Sequence, residues 1–260
     1  MAINFGVLKN IVRPIYYWFF TRYYYLLEVL FPSKIKDPKE IPIIINNFNR
    51  FTYLKILIEA LEQRNYLNIY IIDNASTYPP LLEFYNKCPY HIFRLGKNMG
   101  PFALWQSDIY KKFINDFYVY TDSDVVPVKE CPDDFMEIFL KVLRKHKFAR
   151  KVGFSLRIDN IPDQYDFKNE VLHWEKQFFG HTVDDILFKA PIDTTFALYR
   201  PRARDGANSY VTMFRTKFPY EAEHLPWYVN SRNMSEEDIF YIRNARTTST
   251  WTELSKKNLE

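Results

Sequence analysis

Glycine is scarce, with six in 260 residues. That excludes flexible Gly/Ser linkers and leaves little room for low-complexity segments. Cysteine is rarer still, and Cys88 and Cys131 do not have metal-ligand spacing, so buried thiols in a reduced, cytoplasmic compartment are expected. Charge of one sign is lacking too: 35 Lys and Arg against 31 Asp and Glu leave +4, which excludes a nucleic-acid binder unless the cations are concentrated in a patch. No apolar run approaches the roughly 18 residues that span a bilayer, and no small-residue cleavage site follows the first apolar stretch.

Aromatic residues, by contrast, are abundant, at 18% of the chain, and they crowd the N-terminus as RPIYYWFFTRYYYLLEVLF. Residues 1–40 are therefore expected to form a helical appendage. Trp18, Tyr23, Tyr24 and Tyr25 suit a membrane interface, where rings with one polar end are favoured. Lys9, Arg13, Lys34 and Lys36 flank this stretch, and LRKHKFARK, from Leu143 to Lys151, adds a second basic cluster. Residues 1–36 are expected either to lie peripherally on a membrane, at its inner face, or to pack on the domain or a second copy of the chain.

From Ile41 the pattern alternates. PIIINN is a short apolar run that breaks at Asn46, and Leu54, Leu57, Ile58 and Leu61 follow at helical spacing. NIYIIDNAS, HIFRLGKNMG and FYVYTDSD begin three more strand-to-helix units, the last followed by Phe135, Ile138, Phe139, Val142 and Leu143 on one helical face. Four such units in succession predict an α/β fold with a mostly parallel, Rossmann-like sheet flanked by helices. Ligands of such sheets sit beyond the carboxyl ends of the strands. Asn47 to Arg50, Asp73, Asn98 and Asp122 to Asp124 are each predicted at such an end.

Asp122 and Asp124 pose the sharpest question, because two carboxylates one residue apart at a buried strand end repel each other. A cation or a donor network must compensate. Mn²⁺ or Mg²⁺ suits such a pair, being a hard ion held by one or two carboxylates while substrate phosphates supply further oxygens. A turn-capping role for both aspartates is the competing reading, since an isolated D-x-D triplet is common.

PIIINNFNR, IYIIDNAST, NMGPFALW and YVYTDSDVVP, taken in order over residues 41–127, resemble the nucleotide-binding half of family-two-like glycosyltransferases with the GT-A fold. That resemblance implies transfer from a nucleotide-diphosphate sugar, UDP-linked, to a glycan or lipid-linked saccharide, as in surface polysaccharide biosynthesis. It divides the domain into a nucleotide-sugar half, 41–130, and an acceptor and catalytic half, 131–260. Asn47, Phe48, Asn49 and Arg50 would border base and ribose, with Asp73 beside them. Asn98 and Gly100 would line the nucleoside pocket. Asp122 would face ribose and metal, with Ser123 between it and the principal metal ligand, Asp124. His224 would be the third ligand, and Trp227 and Tyr228 would meet acceptor or donor sugar.

The base that deprotonates the acceptor hydroxyl has two candidate sources. KAPIDTTFALYRP reads as a further strand with Asp193 at its entrance, and NMSEEDIFYIRNA offers Glu236, Glu237 and Asp238 in the first turn of a helix. Ser235 with Asp238 also fits a capping box without any chemistry. A clear W-G-x-E-D sequence is missing, so Asp193 is preferred, Glu237 next. Two other functions stay open: a sugar nucleotidyltransferase, which would need a glycine-rich phosphate loop where this chain has NNFNR, and a catalytically silent module on a membrane or glycan surface.

Overall fold

In the computed structural model, residues 5–204 and 212–245 are described. Helix α1 (Phe5–Leu30) leads into β1 (Ile43–Asn47), α2 (Thr52–Gln63), β2 (Ile69–Asp73), α3 (Pro79–Lys87) and β3 (His91–Arg94). Two one-turn helices, α4 (Ala103–Gln106) and α5 (Tyr110–Phe113), precede β4 (Tyr118–Asp122) and the short β5 (Val125–Pro127). Then come α6 (Phe135–Lys145), β6 (Lys151–Leu156), α7 (Lys168–Lys176), β7 (Thr182–Asp184), β8 (Leu187–Lys189), β9 (Ala197–Tyr199), β10 (Met213–His224) and α8 (Glu236–Asn244).

One sheet joins all the strands, in the order β3-β2-β1-β4-β9-β6-β10-β8-β7, with β5 pairing β10. The first four run parallel, and so do β6 and β10. β9 is antiparallel to both of its neighbours, β4 and β6. The expected mixed α/β sheet, largely parallel and flanked by helices, is therefore what the chain builds. Every residue of β1 is buried, as are all six of β6. Helices cover both faces of the sheet here, which is why β1 opens as an unbroken apolar run, although β6 buries Lys151 and Ser155 among its apolar residues. The four apolar positions of α2 named above are all buried against the sheet, whereas Ile138 of α6 is only partly so. Gly153 allows β9 to approach β6, since a Cβ there would lie 2.3 Å from the carbonyl oxygen of Phe196. Cys131 is buried, as expected, but Cys88 only half so.

The chain steps outward from β1 to β2 and β3, then returns to place β4 on the other side of β1. Neighbouring connections thus leave in opposite directions at the carboxyl ends of β1 and β4, opening a crevice there. Register sharpens this placement, because Asn46 pairs with Asp122.

Candidate active site

A cleft of about 610 Å³ opens at this crevice and extends along the second half of the sheet. Asp122, the last residue of β4, is held by local bonds: its carboxylate accepts from Thr194 Oγ1 and, at 3.4 Å, from Asn46 Nδ2. Burial, followed by the charge of Asp124, pushes its carboxyl well above the usual range. Asp124 lies in the turn between β4 and β5, and its buried Oδ1 has no hydrogen-bond partner among the described residues.

His224 reaches this turn from the end of β10, where it pairs with Val125 of β5. Its Nε2 stands 3.7 Å from Asp124 Oδ2, and its buried Nδ1 has no partner among the described residues. Burial lowers its pKa, with Arg50 adding to the effect against the pull of Asp124, which favours the neutral ring that can act as a ligand. A twelve-residue strand runs to His224, and a 3₁₀ turn follows at Leu225–Tyr228.

No group of three or more His, Cys, Asp or Glu side chains forms a preassembled metal cage among the described residues. The carboxylate pair nevertheless fits a hard divalent cation. Two acids repel at a buried strand end, one keeps an orphaned oxygen, and an imidazole nitrogen stands beside it. An ion that completes its shell with substrate oxygens needs no full cage.

One side of the cleft is lined by Asn46, Phe48, Arg50, Asn74, Asn98 and Gly100, with Ser123 between the two aspartates. Gly100 takes φ 74°, a conformation natural to glycine, and its N–H donates to Asn98 Oδ1. Asn74 clamps this loop from both sides, accepting from Met99 N and donating to Gly100 O. Asn74 is a site residue without an expected role in the sequence, although it follows Asp73 directly. Arg50 is buried, forms an ion pair of 2.6 Å with Asp238, and lies flat over Tyr241 with its carbon 3.8 Å from the ring centre. Its Nε has no partner.

Four residues expected at the site serve the scaffold instead. Asn47 is buried outside the cleft and donates to Tyr85 of α3. Asn49, at φ 53°, accepts from the N–H groups of Thr77 and Tyr78 while its own N–H donates to Ser76 Oγ. Asp73 is buried and accepts from Ser76 N in an Asx turn, and it is not among the residues that line the cleft. Tyr228 bonds to Asn160 outside the cleft wall, whereas Trp227 lines the cleft and packs on His224.

The candidate bases separate clearly. Glu237 spends both oxygens on Thr52, accepting from its N–H and hydroxyl, so it caps α2 and does not reach the cleft. This corrects the expectation that it could act as base. Asp238 closes a capping box with Ser235 and neutralises Arg50; Glu236 is exposed outside the cleft wall. Asp193 alone among these acids is exposed in the cleft wall with its carboxylate uncommitted among the described residues. Its backbone carbonyl accepts from the buried ammonium of Lys151, and the preceding Pro191 carbonyl accepts from Arg215 Nε.

Arg215 forms a 2.7 Å ion pair with Glu175 of α7 and lies over Phe178. Burial lowers the pKa of Arg215 and raises that of Glu175. Sequence reasoning missed this pair, because an arginine inside a strand and a glutamate inside an amphipathic helix carry no signal until packing brings them together. Tyr165, Trp174 and Phe178 also line the cleft.

No protein-family model and no curated protein sequence matches the chain. Similar solved structures include a cytidylyltransferase from Leptospira borgpetersenii serovar Hardjo-bovis (strain JB197), 10% identical, TM-score 0.35. The match covers 62% of this chain and 60% of that one, so it spans about three fifths of that protein's length. An apo UDP-glucose pyrophosphorylase is 6% identical, TM-score 0.42, over 79% and 100% of the two chains. A 4-diphosphocytidyl-2C-methyl-D-erythritol synthase from Anaerococcus prevotii DSM 20548 is 10% identical, TM-score 0.39, over 79% and 97%. The class of fold rests on the sheet order above, and the chemistry on the residues of the cleft.

Proposed function

We propose that this protein is a metal-dependent glycosyltransferase that moves a sugar from a nucleotide-diphosphate donor to a saccharide hydroxyl. The observation that carries the reading is the pairing of Asp122 and Asp124 at the sheet's switch point, with Asp124 Oδ1 buried and without a hydrogen-bond partner among the described residues, in the same cleft as the uncommitted carboxylate of Asp193. Asp122 and Asp124 would hold Mn²⁺ or Mg²⁺, with His224 as a third donor. The ion supplies charge neutralisation for the departing diphosphate.

Phe48 offers its ring to the nucleobase, and the Asn74-clamped loop of Asn98 and Gly100 closes the nucleoside side. Arg50, with an unpaired Nε, turns positive charge toward the phosphates. Asp193 takes the proton of the acceptor hydroxyl as that oxygen forms its bond to the anomeric carbon and the bond to the nucleoside diphosphate breaks, which inverts the configuration. Lys151 and Arg215 hold the two backbone carbonyls flanking Ile192, which fixes where the Asp193 carboxylate points. Trp174, more than half exposed in the cleft wall, presents an apolar face on which a sugar ring stacks, while the buried Trp227 packs on His224.

Nucleotidyl transfer from a nucleoside triphosphate to a sugar phosphate is the second reading, because it would use the same carboxylate pair and the same nucleotide wall. The turn after β1 weighs against it. That turn has no glycine, and the Asn49 N–H is already given to Ser76. Incubation with a panel of nucleotide sugars and Mn²⁺ should release nucleoside diphosphate, more so with saccharide acceptors. Release of pyrophosphate from a triphosphate and a sugar 1-phosphate would establish the second reading instead. No turnover in either assay would leave a binding module.

A further inference from the structure

We propose that α1 and the basic turn after α6 form one surface that docks on an anionic lipid leaflet. The proposal is independent of the chemistry assigned to the cleft. Along α1, Val12, Ile15, Tyr16, Phe19, Tyr23 and Leu26 recur at helical spacing, and each is more than half exposed. Trp18 beside them is equally exposed, and the guanidinium of Arg22 lies 3.7 Å from its ring centre. Folded domains rarely leave so many large apolar side chains contiguous in water without a partner.

The charges on this surface point to the occupant. Glu28 is the only acid in α1, and it faces inward to a 2.8 Å ion pair with the buried Arg200, whose remaining N–H groups go to carbonyls at the end of α6 and to Ala149. The outward face of the helix therefore carries no negative charge. The tertiary structure also brings the second basic cluster alongside. Phe148 packs edge-on against Tyr25 with ring centres 5.7 Å apart, Arg22 sits over Phe148 at 4.4 Å, and the Lys147 ammonium lies 5.7 Å from Tyr25. Exposed Arg13 on α1 and Lys147 on the turn thus border an aromatic strip, with exposed Arg144 in the last turn of α6, while the side chain of Lys9 lies outside the described residues.

A second copy of this chain would bring its own cations against these, whereas phosphatidylserine headgroups supply the opposite charge. Tyr and Trp rings suit the headgroup level. No helix among the described residues is long and apolar enough to cross a membrane, so α1 would lie in the interface plane. Arg200 follows β9 at its pairing with the first residue of β6, and Asp116, just before β4, binds Ser33. The docked end of α1 is therefore fixed at the amino ends of β4 and β6, opposite the edge that carries the cleft.

The test is co-sedimentation of the full chain with vesicles of phosphatidylcholine alone or mixed with phosphatidylserine. Binding should require phosphatidylserine, fall with salt, and weaken roughly fivefold for each cation removed in Arg144→Gln and Lys147→Gln. The double variant Phe19→Ser/Tyr23→Ser should lose binding while its thermal unfolding stays unchanged. Should that variant fail to fold, the charge reversal Lys147→Glu on the exposed turn gives the same readout. Equal binding to neutral vesicles, undiminished binding by these variants, or no binding at low salt would overturn the proposal. So would a concentration-dependent dimer in sedimentation that ignores vesicles and is broken by Phe19→Ser/Tyr23→Ser, which would assign the surface to a second copy.

Discussion

Asp124 and His224 face each other at 3.7 Å, each with a buried polar atom that has no hydrogen-bond partner among the described residues. Such unsatisfied groups are costly in a folded protein and concentrate where a ligand will complete them. Asp124→Asn should accordingly abolish Mn²⁺-dependent nucleotide binding and reduce transfer to background. Without metal the variant should melt at the same temperature as the parent or higher, because the substitution relieves the repulsion that lifts Asp122. Scanning calorimetry with and without Mn²⁺ checks both parts, and a variant that keeps its metal-induced shift would remove Asp124 from the ligand set.

Asp193→Asn should lower kcat by about 10²–10⁴ with donor affinity nearly unchanged, the signature of a lost proton acceptor. Glu237→Gln should behave oppositely. It weakens the carboxylate bonds to Thr52 at the start of α2 and should cost about 1 kcal/mol of stability, with kcat retained. Steady-state kinetics on both variants, beside urea melts, decide between the two acids.

Breaking the buried Arg215–Glu175 pair should cost about 3–5 kcal/mol for either single truncation, since the surviving charge is left without its partner. The double change Arg215→Met/Glu175→Leu should recover much of that stability but not the activity, because Pro191, and with it Asp193, loses its tether. A double-mutant cycle in urea with parallel turnover measurements tests this. Full activity in the stable double variant would show that the pair does not position Asp193.

Glu221 gives a pH signature remote from the cleft. Its carboxyl is pushed up to about 7 by burial first, then by Asp159, with Arg157 opposing. A carboxyl raised in the folded state binds its proton more tightly there than in the unfolded chain. Its contribution therefore favours folding below the unfolded value of about 4.3 and is lost as pH rises toward 7. Glu221→Gln should flatten stability over that interval and leave the variant at least as stable as the parent above it. Melting temperatures measured every half unit from pH 4 to 8 test the slope.

Several features could be read along the chain because they depend on residues close in sequence. Strand-to-helix alternation from Ile41, the apolar face of α2 and the carboxylates closing β4 are local patterns, and parallel strands buried on both faces must be written as continuous apolar runs. The capping box at Ser235 and Asp238 was legible for the same reason.

What local pattern could not supply was the far partner of each side chain. Asn47, Asn49 and Asp73 have the residue types of a nucleotide site at the right strand ends, yet Tyr85, the Thr77 and Tyr78 amides and Ser76 claim them. Glu237 is a free carboxylate in sequence and a helix cap in space. Likewise nothing near Phe148 in the chain announces Tyr25, or near Arg215 announces Glu175. A hydrogen bond or ion pair is decided by whichever groups meet within about 3 Å, and only the packing of distant segments determines which groups those are.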